Sequence, residues 1–406
     1  MVEKSTIKIL VLDDEPFMLK LHSHMLARLE FTLVTTCDSG RVALESFDSP
    51  NGPPDLILLD LNMPEMDGVE FVRHLVERHY SGSLILVSGE DERMLQTAEK
   101  LVQAHKISVL GHLRKPVKPE ALSALLAKWT PPSLARPGAA KKVYSADELR
   151  AAIDNGELVN YYQPKVAVAT GEVVGVEALV RWRHPQDGMV FPDQFIGVAE
   201  AHGLIDDLTR VVLTGALAQA KVWQEAGLKL RVAVNVSMDN LARLDFPDLV
   251  AGLAAQAGVP PQGLVLEVTE SRLMQDLRAP LETLTRLRLK RFRLSIDDFG
   301  TGHSSLAQLR DIPFDELKID KSFVYRAWTD ETLRAIYDAS LGLARQLGIQ
   351  VVAEGVEERA DWNLLRRTGC DLAQGYFIAR PMLAADFPGW MEDWQERVSS
   401  GLAAND

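Results

Sequence analysis

Short apolar runs separated by amphipathic stretches set the rhythm of this chain. In its first part the runs fall at residues 7–12, 31–35, 56–59, 84–87 and 107–110. Between them, apolar residues recur at helical spacing, so each run reads as a strand followed by a helix. That alternation predicts a doubly wound α/β layer of five parallel strands, with a crevice at their carboxyl ends. Polar residues cluster at those ends: Asp13 and Asp14 after the first strand, Asp60 at the end of the third, Ser88 at the end of the fourth, Lys115 after the fifth. From residue 144 to about 400 the alternation resumes, with about eight strand-and-helix units in roughly 250 residues, which predicts a (β/α)8 barrel with its site at the carboxyl strand ends. Residues 129–143, WTPPSLARPGAAKKV, break both periodicities and read as a linker between a domain at 1–128 and one at 144–400.

Composition narrows the picture. The chain has 406 residues, 47% hydrophobic and 25% charged, enough for more than one proper core. Only Cys37 and Cys370 are present, far apart and without CxxC spacing, which argues against a disulfide framework and a zinc site and suits a reducing cytoplasm. No apolar run approaches the roughly 20 residues of a membrane span. A net charge of -13 argues against a nucleic-acid surface and a DNA-binding domain. The basic run Arg286, Arg288, Lys290, Arg291, Arg293 overlaps a leucine-rich helical pattern and reads as a solvated face, and His22 and His24, two apart on a helix, read as surface residues.

Three carboxylates, Asp13, Asp14 and Asp60, converging at one sheet edge repel each other unless a cation lies among them, and Lys115 adds one positive charge. In this order, VLDDE, LLDLNMPEMDG, VSG and RKP make the first 128 residues resemble a response-regulator receiver domain, of flavodoxin-like (CheY-like) topology. The resemblance implies that Asp60 accepts a phosphoryl group from a cognate sensor histidine kinase. It further implies that Asp13, Asp14 and Asp60 hold Mg2+, that Ser88 meets the phosphoryl oxygen and that Lys115 pairs with it. His112 stands where the family commonly has a switch Tyr or Phe.

In the second part the stretch LSIDDFGTGHSSL stops a strand at two adjacent aspartates, Asp297 and Asp298. Side chains alternate along a strand, so neighbours face one pocket only where the strand ends and the backbone turns. Glu177, Glu267, Asp297, Asp298 and Glu354 then converge on one barrel mouth. Pairs about 5 Å apart repel by roughly 3 kcal/mol at an effective dielectric of about 20. Two divalent cations bridged by a carboxylate remove that conflict and make a site suited to phosphate-ester hydrolysis. Asn235 adds a neutral oxygen and Lys318 a fixed positive charge.

YYQPKV, EALVRW, NVS, EVTE, DDFGTG, KID, EGVE and QGY occur in this order, and with them the segment resembles an EAL phosphodiesterase domain, named for Glu177, Ala178, Leu179. The resemblance implies a modified TIM (β/α)8 barrel that hydrolyses cyclic di-GMP to pGpG with two Mg2+ or Mn2+ ions. Glu177, Asn235, Glu267, Asp297, Asp298 and Glu354 become metal ligands; Glu354, Lys318 and Glu177 carry the catalysis; Gln163, Leu179, Arg181 and Gln374 contact the substrate. Glu270 is implied to anchor the DDFG loop and to link it to dimer contacts, and His303 replaces the usual Tyr of that loop. The whole reads as a cytoplasmic bacterial two-component enzyme, a homodimer or higher homo-oligomer, controlled by phosphorylation of Asp60. The alternative is a silent cyclic di-GMP receptor signalling through the receiver domain; the metal ligands all present favour the enzyme.

Overall fold

The structure is a computed structural model, and it describes residues 4–47, 52–105, 107–129, 142, 144–269, 278–301, 309–310 and 312–402. The chain divides into two compact units, Met1–Lys141 and Lys142–Asp406. Apart from Trp129 and Lys142, most of the stretch read as a linker lies outside the described residues.

In the first unit, β1 (Lys8–Leu12), β2 (Leu33–Cys37), β3 (Leu56–Asp60), β4 (Ser83–Ser88) and β5 (Ser108–Arg114) form a sheet of order β2-β1-β3-β4-β5. All four pairings are parallel. Alternation divides the strand residues cleanly between two cores. Leu10, Leu12, Ile57, Leu59, Leu84 and Leu86 join one cluster, while Ile9, Val11, Leu56, Leu58, Ile85 and Val87 join the other. A sheet buried on both faces needs such continuous apolar strands, and it is the doubly wound sheet expected from the sequence.

The helix Pro16–Arg28 corrects one expectation. Its buried line is Met18, His22 and Leu26, spaced by four, so His22 sits on the core face and is only 1% exposed. Helical periodicity places it there although its side chain is polar. Among the described residues neither ring nitrogen finds a hydrogen-bond partner, and burial lowers its pKa.

In the second unit eight strands close a barrel: β6 (Leu158–Ala167), β7 (Val173–His184), β9 (Arg231–Val236), β10 (Leu264–Thr269), β11 (Arg293–Phe299), β12 (Glu316–Ile319), β13 (Gln350–Ala353) and β14 (Leu372–Ala373). A short β8 (Gly188–Val190) extends β7 outside the ring. From β7 to β14 the barrel pairings are parallel, whereas β6 is antiparallel to both its neighbours, β7 and β14. The modification of the (β/α)8 plan is therefore one reversed strand. Because β6 runs backwards, its amino-terminal part lies beside the carboxyl end of β7, and Gln163 is in register with Glu177.

The basic run lies on an intermediate to exposed face, as expected, and is ion-paired there. Arg286 and Lys290 pair with Asp248, and Arg288 with Asp315. Among the described residues no helix is long and apolar enough to cross a membrane.

The last helix, Phe387–Arg397, is pinned by Trp394, whose indole Nε1 donates to the Gly171 carbonyl at 2.7 Å and whose ring lies 6.0 Å from those of Trp362 and Trp390. Removing so large a buried side chain leaves a cavity and an unmet carbonyl. Trp394→Ala is expected to destabilise the barrel by about 3–5 kcal/mol, read as a lower midpoint of urea unfolding at unchanged slope.

Candidate active site

The carboxyl end of β11 builds the first part of the site. Register with β12 slips between Ile296 and Phe299, and Asp298 takes a left-handed φ of 55°. A left-handed aspartate is tolerable because its short polar side chain bonds locally, and here the irregularity breaks the strand's alternation. The Asp298 amide donates to Asp297 Oδ1 at 3.0 Å. Consequently oxygens of Asp297, Asp298 and Glu354 lie within 4.8 Å of one another, as do oxygens of Glu177, Glu267 and Asp297. The two triads share Asp297.

Lys318 is the hub. Although only 1% exposed, its Nζ lies 2.7 Å from Glu354 Oε1, 2.9 Å from Glu267 Oε2, 3.0 Å from Asp297 Oδ1 and 3.3 Å from Glu177 Oε2. Burial works against the ammonium, but the four carboxylates outweigh it and raise its pKa well above the ordinary value. The four carboxylates thus favour the charged form of Lys318. Neutral amides fill the remaining positions around Glu177: Asn235, exposed at the end of β9, donates to Oε1 at 2.7 Å, and Gln374 donates to Oε2 at 2.7 Å. The same Gln374 amide reaches Gln163 Oε1 at 3.0 Å, and Gln163 in turn donates to the Ala379 carbonyl.

These surroundings separate the carboxylates. Burial alone raises the pKa of Glu177, yet Lys318, Lys165 and the two amides hold it down to about 2. Burial pushes Glu354 up to about 8 and Glu267 to about 7, with the neighbouring acids adding to the shift, and it raises Asp298 to about 6. Within this cluster six carboxylates, counting Glu316 one layer deeper, face two ammonium groups, Lys165 and Lys318. Were all six ionised, four negative charges would be left over, which two divalent cations would balance. Hard carboxylate oxygens in two triads sharing one member suit magnesium or manganese, so the residues present fit such ions.

A cavity of about 290 Å³ opens over the cluster, lined by Gln163, Glu177, Asp297, Lys318, Glu354 and Gln374 among others. Leu179 lines this cavity and also an adjoining, more apolar one of about 340 Å³. Arg181 lies farther out on β7: its guanidinium donates to the Val180 carbonyl and packs 5.1 Å from the Phe191 ring. Glu270, Gly302 and His303 lie outside the described residues. Two residues absent from the sequence reading belong to the cluster, Lys165 and Glu316. Period-two alternation carried the signal for both, since Lys165 follows Gln163 by two residues and Glu316 precedes Lys318 by two.

The first unit has a smaller acidic site. Lys115 Nζ lies 2.8 Å from Asp13 Oδ2 and 2.7 Å from Asp60 Oδ2, and oxygens of Asp13, Asp14 and Asp60 gather within 4.8 Å. Burial raises the Asp60 pKa, with Lys115 opposing the shift. Ser88 is fully buried and its hydroxyl accepts from the Glu90 amide. His112 Nδ1 lies 2.6 Å from Glu99 Oε2 on the helix Glu92–Ala104.

The family model of the EAL domain matches residues 146–381, and that of the response regulator receiver domain matches residues 9–127. The chain belongs to the EAL domain family. Its whole length is similar to the cyclic di-GMP phosphodiesterase RocR of Pseudomonas aeruginosa, at 33% identity over 93% of this chain and 96% of RocR. The cyclic di-GMP phosphodiesterase NbdA of the same organism is 44% identical over 60% of this chain but only 31% of its own length. Among solved structures, the MucR phosphodiesterase of P. aeruginosa in complex with c-di-GMP is 41% identical, covering 59% of this chain and 98% of its own, at a TM-score of 0.57. NbdA and the MucR phosphodiesterase thus match about 60% of this chain, whereas RocR matches 93% of it.

An ion held by these carboxylates would displace the protons on Glu267 and Glu354. Their raised pKa values keep the protonated forms populated up to about 7 and 8. Metal affinity is therefore lost as pH falls through those values and gained as it rises, by about tenfold per pH unit for each proton displaced. Titration with Mg2+ by calorimetry between pH 6 and 9, in buffers of different ionisation heat, is expected to show that rise and the proton release; a pH-independent affinity contradicts it.

Proposed function

We propose that this chain hydrolyses cyclic di-GMP to pGpG in its barrel, and that phosphorylation of Asp60 modulates the rate. The observation that carries the reading is the pair of carboxylate triads sharing Asp297 beneath a polar cavity, with a buried lysine fixed among them. The name of RocR, whose whole length this chain resembles, supports the same substrate.

Two divalent ions held by Glu177, Asn235, Glu267, Asp297, Asp298 and Glu354 supply Lewis-acid polarisation of the phosphoryl group and a lower pKa for water. The chain's own residues do the rest. Glu354, which lines the cavity beside Asp297 and Asp298, is placed to accept the proton of the attacking water. As the water oxygen bonds to phosphorus the P–O3′ bond breaks, leaving a 5′-phosphate on one guanosine and, once protonated, a 3′-hydroxyl on the other. Lys318 stays charged beside the reacting centre and offsets negative charge that develops there. Gln163 and Gln374, linked to each other and to Glu177, fix the floor of the cavity, and Leu179 offers it an apolar wall. The forked guanidinium of Arg181 suits a phosphate oxygen of the dinucleotide.

In the receiver, Asp60 is the acceptor, Asp13 and Asp14 hold Mg2+ with it, and Lys115 and Ser88 meet the incoming phosphoryl oxygens. A sensor histidine kinase is the donor, and the working form is a homodimer or higher homo-oligomer in the cytoplasm. A tenfold change in rate requires only about 1.4 kcal/mol of bias between two arrangements.

Incubating the purified chain with cyclic di-GMP and Mg2+ or Mn2+ is expected to release pGpG, and Glu177→Ala to abolish it. Glu354→Gln is expected to lower kcat by at least about 100-fold while substrate binding persists. Tight binding with no product under either metal makes the chain a receptor and overturns the reading. For the receiver, a small-molecule phosphodonor is expected to change the rate of the wild type and to leave Asp60→Asn unchanged; indifference in both sinks the coupling.

A further inference from the structure

Lys165 and Glu316 do not line the 290 Å³ cavity, so neither is placed to touch a substrate within it. They occupy the barrel interior one layer below. Lys165 Nζ lies 2.6 Å from Glu267 Oε1 and 2.8 Å from Glu316 Oε1, and the Ser295 hydroxyl donates to that same Glu316 oxygen at 3.1 Å. All are buried: Lys165 is 3% exposed, Glu316 2%, Glu267 and Ser295 0%. The two oxygens of Glu267 are consequently divided between two ammonium groups. Oε1 is held from below by Lys165, and Oε2 faces Lys318 and the acid triad.

We propose that Lys165, braced by Glu316, is a positioning residue that fixes the Glu267 carboxylate for divalent-metal binding. The inference rests on the reading of Glu267 as a metal ligand given above. Stability alone does not account for the arrangement, because replacing a buried ion pair with apolar residues of similar volume is often neutral or stabilising. Orientation does account for it. A glutamate has three rotatable bonds, and one ammonium at Lys318 leaves the carboxylate free to turn both oxygens toward it. A second ammonium on the opposite side removes that freedom. The reversed strand β6 makes this possible: Gln163 and Lys165 share its inward face, the first in register with Glu177 and the second, deeper, with Gly175. One strand thus reaches both the mouth and the layer beneath it.

The test uses the full chain with Lys165→Met, Lys165→Arg and the double variant Lys165→Met/Glu316→Leu, in which both buried charges are removed together. Mn2+ affinity is measured by titration calorimetry, folding by thermal melting, and kcat and KM with cyclic di-GMP. Loss of such an outer partner typically weakens metal binding by about 10–100-fold. The expected result is that loss in Lys165→Met and in the double variant, recovery in Lys165→Arg, a fallen kcat, and KM within about twofold at saturating metal. The double variant is expected to melt near the wild type. If the double variant folds and binds Mn2+ as the wild type does, the assignment is overturned; if it does not fold, Lys165 is a structural residue and the assignment is overturned as well. A wild type that binds no Mn2+ removes instead the reading of Glu267 as a ligand, and this inference with it.

Discussion

A single ammonium group, Lys318 Nζ, holds the mouth of the barrel together. It draws four carboxylates, carried on or just after four different strands, to within 3.3 Å. An unpaired charge at that depth is penalised by several kcal/mol, and so is each acid it meets, so the cluster is tolerable only as a whole. That mutual dependence explains why the amides crowd in. Asn235 and Gln374 donate to the two Glu177 oxygens, Gln163 accepts from Gln374 and holds it in place, and none of the three adds charge.

The first unit uses the same device on a smaller scale. Lys115 bridges Asp13 and Asp60 at the carboxyl edge of a doubly wound sheet, as Lys318 bridges its acids at the carboxyl edge of a barrel. In both folds the parallel strands end on one side, and the apolar residues that fill the sheet stop there. Polar groups at that edge meet each other across neighbouring strands without disturbing the core. The difference is depth: Lys115 remains half-buried beside three acids, whereas Lys318 is enclosed by a ring of strands.

Much of this was legible in the residues. The five-stranded sheet followed from the spacing of its apolar runs, and the slip at Asp297 and Asp298 followed from the requirement that neighbours on a strand diverge unless the backbone turns. What escaped had physical causes. Lys165 and Glu316 are ordinary-looking charged residues inside strand sequences, and only the closure of the barrel makes an inward lysine and an inward glutamate neighbours across the ring. The reversal of β6 is equally silent, since an apolar alternation reads the same in either direction. His22 was misplaced because its polarity suggested water, while the four-residue line with Met18 and Leu26 turned it to the core. The ion pairs of the basic run were not legible either, because its acidic partners Asp248 and Asp315 come from other elements.

The reversal of β6 also decides where the barrel's chain begins its path. In an all-parallel barrel the first strand starts at the floor, opposite the site. Here it starts beside the carboxyl end of β7, with Leu158 in register with Trp182, and runs inward past Gln163 to Lys165. The helix Ala146–Asp154 feeds directly into that strand. A pull on the preceding backbone is therefore delivered at the rim, five residues from a side chain hydrogen-bonded to Gln374 and seven from one that grips Glu267. The barrel's entry point and its chemistry thus share one end of the fold.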